Sequence, residues 1–250
     1  MQVPKMMTTA TASTATTEQL KSAIATYQDQ VDYLEIRVEQ SESTGLSFRG
    51  KQLDSVDRSF SLGGGIRACH KGGWSFVTFN GLQELNDRIE EAISQAKLVG
   101  KEETQLATAE AIEDYVPEKI KRDPRTVSLK DKRELLEAYN EILLNFDPRI
   151  QTTMASIGNR FATKTFINST GSCIVQERLD INGRFAAIAK GEDGVVRQGF
   201  ESVHSRNDFD ALVGIEDRVR GAAERAVRQL EAKSVKGGQY TVILDPYLAG

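Results

Sequence analysis

The sequence is poor in the residues on which most metal and nucleophile chemistry depends. Among its 250 residues are two histidines, two cysteines, one tryptophan and five prolines. A zinc site takes three or four converging ligands, and the adjacent pair Cys69 and His70 would point to opposite faces of a strand. We therefore predict no metal site and no catalytic residue in this chain. Cys69 and Cys173 lie in apolar strand patterns and are predicted to be reduced, packed thiols.

Long apolar runs and a basic excess are also missing. No run approaches the roughly 18 apolar residues that a membrane-spanning helix needs, and the N-terminus has no apolar segment of the secretory-signal type. The net charge of −4 provides no electrostatic footprint for nucleic acid. A hydrophobic content of 39% and a charged content of 27% are typical of soluble globular proteins. We predict a cytoplasmic protein with neither a membrane nor a nucleic acid as its partner.

Composition and periodicity divide the chain into two similar units. Residues 1–17 are rich in Thr, Ala and Ser and are predicted to form a disordered tail. Residues 18–100 form the first unit, residues 101–127 a charged linker or arm, and residues 128–236 the second unit. Residues 237–250 contain a further apolar run, QYTVIL, predicted to be a buried strand. Because the sequence stops shortly after this run, we expect the chain to be a fragment of a longer protein.

Each unit shows a helix, a series of strands, a hairpin and a second helix. Helical periodicity predicts four amphipathic helices, over about residues 18–30, 82–98, 128–146 and 208–232. Alternating polarity predicts short strands over residues 33–39, 43–49, 52–59, 150–157, 160–168, 172–180, 184–190 and 195–200. Short connections favour antiparallel pairing. The predicted fold is α+β, with mixed or antiparallel sheets and helices packed on one face; whether the two units share one sheet stays open.

The glycine-rich stretch Gly63–Asn80 has two possible interpretations. A phosphate loop requires glycines between a strand and a helix N-terminus. Here the glycines precede a strand and no Lys-Ser/Thr pair follows, which favours a β-hairpin. The hairpin is predicted to turn at Lys71-Gly72-Gly73, with alternating residues at Ile66, Ala68, Phe76 and Thr78.

Arg67 and Trp74 are the candidates for a substrate groove. An aromatic side chain beside a Gly-Gly turn can line a peptide groove or cover the open end of a sheet, and the second role is the commoner one for a lone tryptophan. Arginines also recur at positions 37, 49 and 58. They could receive a carboxylate, although a solvated face is the simpler explanation.

Two segments together resemble the TldD/PmbA family. The first is DYLEIRVEQSESTGLSFRGKQLDSVDRSFSLGGGIRACHKGGWSFVTFN, with its Gly-x-Arg and Gly-Trp-x-Phe motifs. The second is GGQYTVILDPYLAG, which resembles the point where the family's catalytic domain begins. The resemblance covers most of the chain from about Thr17 onward. The ending is more similar to the TldD branch than to the PmbA branch.

The resemblance implies a substrate-access and assembly region of a TldD-like zinc metallopeptidase that acts on peptides or unfolded proteins. In the family a His-Glu-x-x-x-His zinc motif follows the second segment, and this sequence stops before any such motif. The chain is therefore expected to hold no zinc and to be inactive alone. The implied partners are a TldD/PmbA-type subunit, in a homo- or hetero-oligomer, and a peptide substrate. The alternatives are a non-catalytic PmbA/TldE-like partner or scaffold subunit and, less favoured, a modulator of a DNA-associated protein such as gyrase.

Overall fold

The computed structural model describes residues 9–103, 106–233 and 236–249. Helices and strands alternate in two groups along the chain. In order, they are α1 (Thr9–Tyr27), β1 (Tyr33–Arg49), β2 (Gln52–His70), β3 (Gly73–Phe79), α2 (Leu85–Val99), β4 (Glu113–Val116), α3 (Leu129–Leu144), β5 (Ile150–Asn168), β6 (Cys173–Lys190), β7 (Val196–Ser205), α4 (Glu216–Arg228) and α5 (Pro246–Ala249). Among the residues that the structure describes, no helix is long and apolar enough to cross a lipid bilayer.

All seven strands belong to one sheet, in the order β3-β2-β1-β5-β6-β4, with β7 also paired to β6. Every pairing is antiparallel except that of the short strand β4 with β6. The two groups are joined by the antiparallel β1–β5 ladder, which runs from Glu35 opposite Asn168 to Arg49 opposite Met154. The α+β prediction is confirmed, and the question of a shared sheet is answered: the sheet is continuous.

The central strands are longer than the sequence pattern predicts. β1 has 17 residues and β2 has 19, without the predicted interruptions. Their middle parts are rich in serine, which gives no hydrophobic alternation. Cross-strand hydroxyl pairs join these parts instead, with Oγ–Oγ distances of 2.9 Å for both Ser41–Ser61 and Ser47–Ser55. Each hydroxyl thus has a partner on the neighbouring strand, so the ladder continues through a polar stretch.

The predicted hairpin turn is present, with one correction to its second strand. Lys71 and Gly72 both have positive φ, 45° and 76°, which is the backbone of the two-residue turn that matches strand twist. In β3 the buried apolar side chains are Val77 and Phe79, whereas Phe76 is 64% exposed. Placing Phe76 and Thr78 on the same side as Ile66 was therefore wrong. The reason is the register, which sets Ile66 opposite Val77.

The helices cover one face of the sheet and create two hydrophobic cores. Helices α1 and α2 pack on β1–β3 around one core, and α3 and α4 pack on β5–β7 around the other. Along β1, Leu34 and Ile36 belong to the first core and Leu46 and Phe48 to the second. All four occupy even positions, and alternate residues of a strand share a face. Both cores therefore lie on the same side, as the predicted fold class requires.

Three segments differ from their predicted form. Helix α1 begins at Thr9, so residues 9–17 are helical instead of disordered, and residues 1–8 lie outside the described part. The last long helix is shortened to Glu216–Arg228, because Gly214 has a φ of 73° that ends the preceding turn. The QYTVIL run forms no strand and is exposed, Ile243 by 95%. Its apolar residues have no partner strand among the described residues.

Candidate functional site

The face of the sheet opposite the helices is the candidate site; we call it the open face. No helix covers it in the part of the chain that the structure describes. Strand alternation places here the odd-numbered residues of β1 and the residues in register with them. Its large side chains belong to Tyr33, Glu35, Arg37, Glu39, Arg67, Trp74, Phe76, Arg160, Lys164, Phe166, Arg178, Asp180, Arg184 and Phe200.

The two predicted groove residues are in contact on this face. The Cζ atom of Arg67 lies 4.6 Å from the centroid of the Trp74 ring, which is a cation–π geometry. Tyr33 meets the same indole edge to face, with 5.9 Å between ring centroids. Trp74 is 39% exposed, so it neither caps a closed core nor stands free in solvent. It lies on the open face beside the hairpin turn, as one wall of a polar cluster.

A buried carboxylate organises this cluster. Glu35 is 4% exposed and accepts hydrogen bonds from the hydroxyl of Tyr33 at 2.8 Å and from Nε of Arg37 at 3.1 Å. Its Oε1 is also 3.7 Å from Nη1 of Arg67. Burial and the bond to Glu35 together raise the pKa of the Tyr33 phenol. The carboxylate thereby holds the guanidinium groups of Arg37 and Arg67 together on the open face.

A groove of about 380 Å³ lies next to the cluster. Arg37 forms part of its wall and stacks on Phe166, with 4.8 Å from Cζ to the ring centroid. The glycines at 63–65 on the neighbouring strand β2 also line it.

A second and larger groove, of about 580 Å³, lies at the other end of the open face. We call it the Arg184 groove. It crosses β1, β5, β6 and β7 and reaches Asp54 of β2, and its lining includes Ser47, Arg49, Met154, Ser156, Arg184, Ala186, Phe200 and Ser202. Sequence reasoning missed this site because its residues come from five strands whose register had to be known. The alternation of charged residues at 178, 180 and 184 was the available signal.

Ion pairs occupy one side of the 380 Å³ groove and the surface beyond it. Glu39 pairs with Arg160 and with Lys164, the latter at 3.4 Å. Burial alone would raise the pKa of Glu39, but these two cations outweigh it and lower that pKa. Asp180 accepts from Nε of Arg178 at 2.8 Å, and this bond, with help from His204, lowers the pKa of Asp180. The middle of the open face is therefore electrostatically satisfied.

The potential metal donors among the described residues are scattered. Within residues 9–103, 106–233 and 236–249, no group of three His, Cys, Asp or Glu residues is arranged to hold a metal. His70 and His204 each face one carboxylate, Asp32 at 4.0 Å and Asp180 at 3.5 Å. Both cysteines are buried free thiols, and burial raises their pKa values. A raised pKa disfavours the thiolate form that metal ligation and nucleophilic attack require.

The fold defines a two-layer α+β protein in which helices cover one sheet face and grooves line the other. Two family models match the sequence: "PmbA/TldA metallopeptidase domain 1" at residues 34–98 and "PmbA/TldA metallopeptidase central domain" at residues 122–233. The chain belongs to the TldD/PmbA family.

Sequence relatives carry the name metalloprotease. One from Synechocystis sp. is 38% identical over 232 residues, which cover 92% of this chain and 50% of that protein. One from Methanocaldococcus jannaschii is 29% identical over 229 residues, covering 88% and 49%. The chain thus spans about half the length of the curated relatives that it matches.

Solved structures share the fold. A proposed modulator of DNA gyrase from Bacteroides thetaiotaomicron aligns with a TM-score of 0.76 at 18% identity, over 89% of this chain and 52% of that one. TldE from Thermococcus kodakarensis aligns with a TM-score of 0.65 at 19% identity, over 85% and 47%. At these sequence identities the similarity shows a shared fold.

Proposed function

We propose that this chain is the substrate-access and subunit-assembly region of a TldD-like zinc metallopeptidase that acts on peptides. In this proposal the zinc and the catalytic residues lie in a region that corresponds to the half of the relatives' length outside the match. Two findings support the proposal: the matched family models name metallopeptidase domains, and the metalloprotease relatives are about twice as long.

One structural observation supports the proposal that this region binds peptides. β3 pairs with β2 only from Gly64 to His70, whereas β2 begins at Gln52. The outer edge of β2 from Gln52 to Gly63 is therefore free among the described residues. A free edge offers main-chain donors and acceptors that an extended peptide can pair with regardless of its sequence. This edge borders the open face, so a peptide added here would lie beside its grooves.

The test combines the chain with the half that it lacks. The 250-residue chain, the unmatched half of the Synechocystis metalloprotease, and a mixture of the two would be assayed for zinc-dependent cleavage of fluorescent casein. We expect activity in the mixture above the sum of the two parts and none in the chain alone. Cleavage by the chain alone, or a mixture no better than its parts, contradicts the proposal.

The β2 edge can be tested in the same assay. Val56 is 49% exposed on the free part of β2, and Val196 is 52% exposed on the edge strand β7. A lysine on an edge strand opposes further strand pairing. Val56→Lys should lower the activity of the mixture severalfold, and Val196→Lys should leave it unchanged. Equal effects of the two substitutions would argue against peptide addition at β2.

The similarity to TldE favours a second candidate function, that of a non-catalytic partner subunit. This function requires association with an intact metallopeptidase homologue. Co-purification of the chain with the complete Synechocystis protein, without activity in the mixture of halves, would support the second candidate over the first.

A further inference from the structure

Arg184 differs from the arginines at other positions on the open face. Arg37 and Arg67 share the carboxylate of Glu35, and the guanidinium groups of residues 160 and 178 each have an acidic partner. Arg184 makes no hydrogen bond or ion pair with any residue that the structure describes. It stands on β6 between Ser156 of β5 and Ser202 of β7. Neither neighbour can neutralise it.

The groove around Arg184 combines this free cation with exposed apolar surface. Phe200 is 57% exposed and Met154 is 37% exposed, and both line the groove. Large apolar side chains left open beside a concave surface mark binding sites, and methionine adapts its shape to varied ligands. The volume of about 580 Å³ falls in the range of about 300–1,000 Å³ that is usual for ligand pockets.

The other charges in the groove are already engaged. Arg49 has Asp54 at 3.8 Å. The carboxylate of Glu201 accepts from Arg218 at 2.7 Å and from Arg225 at 2.9 Å, both on α4. The unmatched charge in the groove is therefore positive and comes from Arg184. A planar guanidinium binds a carboxylate through two parallel hydrogen bonds, which gives it a strong preference for acidic ligands.

We infer that the Arg184 groove binds an extended peptide segment in which an acidic side chain is flanked by large apolar ones. The carboxylate pairs with Arg184, and the flanking side chains contact Met154 and Phe200. The inference rests on the proposed function in one respect, that the ligand is a peptide. A nucleic acid is disfavoured by charge, since the groove has one free cation among the described residues and the chain has a net charge of −4.

Fluorescence polarisation with two matched peptides provides the test. The acidic probe is fluorescein-labelled Gly-Ser-Phe-Glu-Leu-Ser-Gly with an amidated C-terminus, and the neutral probe has Gln in place of Glu. The unmodified chain should bind the acidic probe about tenfold more tightly, as expected for one charge-assisted hydrogen-bonded pair. Arg184→Gln should remove this preference and leave binding of the neutral probe unchanged. Arg184→Lys should restore part of it.

The control is Arg197→Gln on the same β-hairpin. Arg197 is exposed, its guanidinium donates to the carbonyl of Val196, and it does not line the groove. This variant should keep the full preference for the acidic probe. Phe200→Ser should weaken both probes alike, because it removes apolar contact and no charge.

Three results would overturn the inference: equal binding of the two probes, an equal effect of the substitutions at 184 and 197, or displacement of the acidic probe by a short single-stranded oligonucleotide. Circular dichroism of each variant confirms that the exposed substitutions leave the fold intact. The measurement uses the chain alone. If the peptide-binding test fails, the proposed function is not contradicted. If the activity test with the other half fails, the peptide-binding result is not affected.

Discussion

The guanidinium of Arg67 is held between the indole ring of Trp74 and the buried carboxylate of Glu35. It lies 4.6 Å from the centroid of the ring and 3.7 Å from the carboxylate oxygen. One side chain of β2 thus links the edge strand β3 to the central strand β1. Because Trp74 is the single tryptophan of the chain, its fluorescence reports on this contact directly.

Removing the charge of Arg67 should weaken the hairpin measurably. Arg67→Met keeps the length of the side chain but loses the cation–π contact and one ion pair. We expect a loss of about 0.5–1 kcal/mol in the free energy of unfolding, the usual range for a partly exposed contact of this kind. Urea titration followed by Trp74 emission measures it. Arg220→Met, an exposed change on α4, is the control, and an equal loss in both variants would contradict the assignment.

The hairpin turn packs against the end of α2 through two glycines. A Cβ atom on Gly73 would come within 2.4 Å of the backbone nitrogen of Gly100 and 2.5 Å of the carbonyl oxygen of Ala96. Backbone atoms cannot move aside cheaply, so Gly73→Ala should destabilise the chain by about 1–3 kcal/mol. Gly45→Ala on β1 is the matched control, since a Cβ there meets no atom within 4 Å. Thermal unfolding should separate the two variants clearly.

Acid should destabilise the fold partly through Asp180. The bond from Arg178 holds its pKa below the ordinary 3.8. The stabilisation by the ionised carboxylate is therefore complete above the pKa of the unfolded chain, and it is lost as the pH falls through the lower pKa of the folded chain. Asp180→Asn should therefore be less stable than the unmodified chain at pH 6, and the difference should shrink between about pH 4 and pH 2.

Denaturant titrations over that range measure the difference. The control is Asp57→Asn on β2, because Asp57 makes no ion pair with any residue that the structure describes. A gap between Asp180→Asn and the unmodified chain that stays constant down to pH 2 would refute the role of Asp180.

Lys132 should make the stability of the fold depend on pH in the alkaline range. It is 4% exposed, and its Nζ donates to Oδ1 of Asn159 at 2.9 Å. Burial lowers its pKa below the ordinary 10.5, against the raising effect of Asp123. The folded chain therefore releases this proton before the unfolded chain does, and stability relative to Lys132→Met should rise as the pH increases towards 10.5.

Unfolding at pH 7 and at pH 10 compares the two proteins. Lys130→Met, at an exposed position on the same helix, should show no such change with pH. If the difference between the unmodified chain and Lys132→Met were identical at both pH values, the buried amine would not be the titrating group.

The sequence predicted the fold where hydrophobic periodicity carried the signal. Helix α2 was foreseen because Leu85, Ile89 and Ala92 repeat at helical spacing, and all three are buried. The continuity of β1 and β2 was missed because Ser41 and Ser61, which lie in the gaps between predicted strands, are joined by a cross-strand hydroxyl bond that leaves no trace in a hydrophobicity pattern.

The candidate site was predicted only in part, for a similar reason. Arg67 and Trp74 are close in sequence and meet across one tight turn, so a local pattern could find both. The Arg184 groove depends on the pairing of β5, β6 and β7 and on the β1–β5 ladder. These long-range pairings are fixed by the packing of the two cores, which no short motif encodes.

The β1–β5 ladder joins strands that lie on either side of the exposed segment between Leu106 and Ile112 in the chain. A backbone cut in this segment would leave the ladder from Glu35–Asn168 to Arg49–Met154 intact. Each fragment alone would end in a long edge strand, β1 or β5, with one unpaired side. The two halves would therefore be expected to recombine from separate polypeptides, which makes the fold suited to a split reporter that assembles only when its pieces meet.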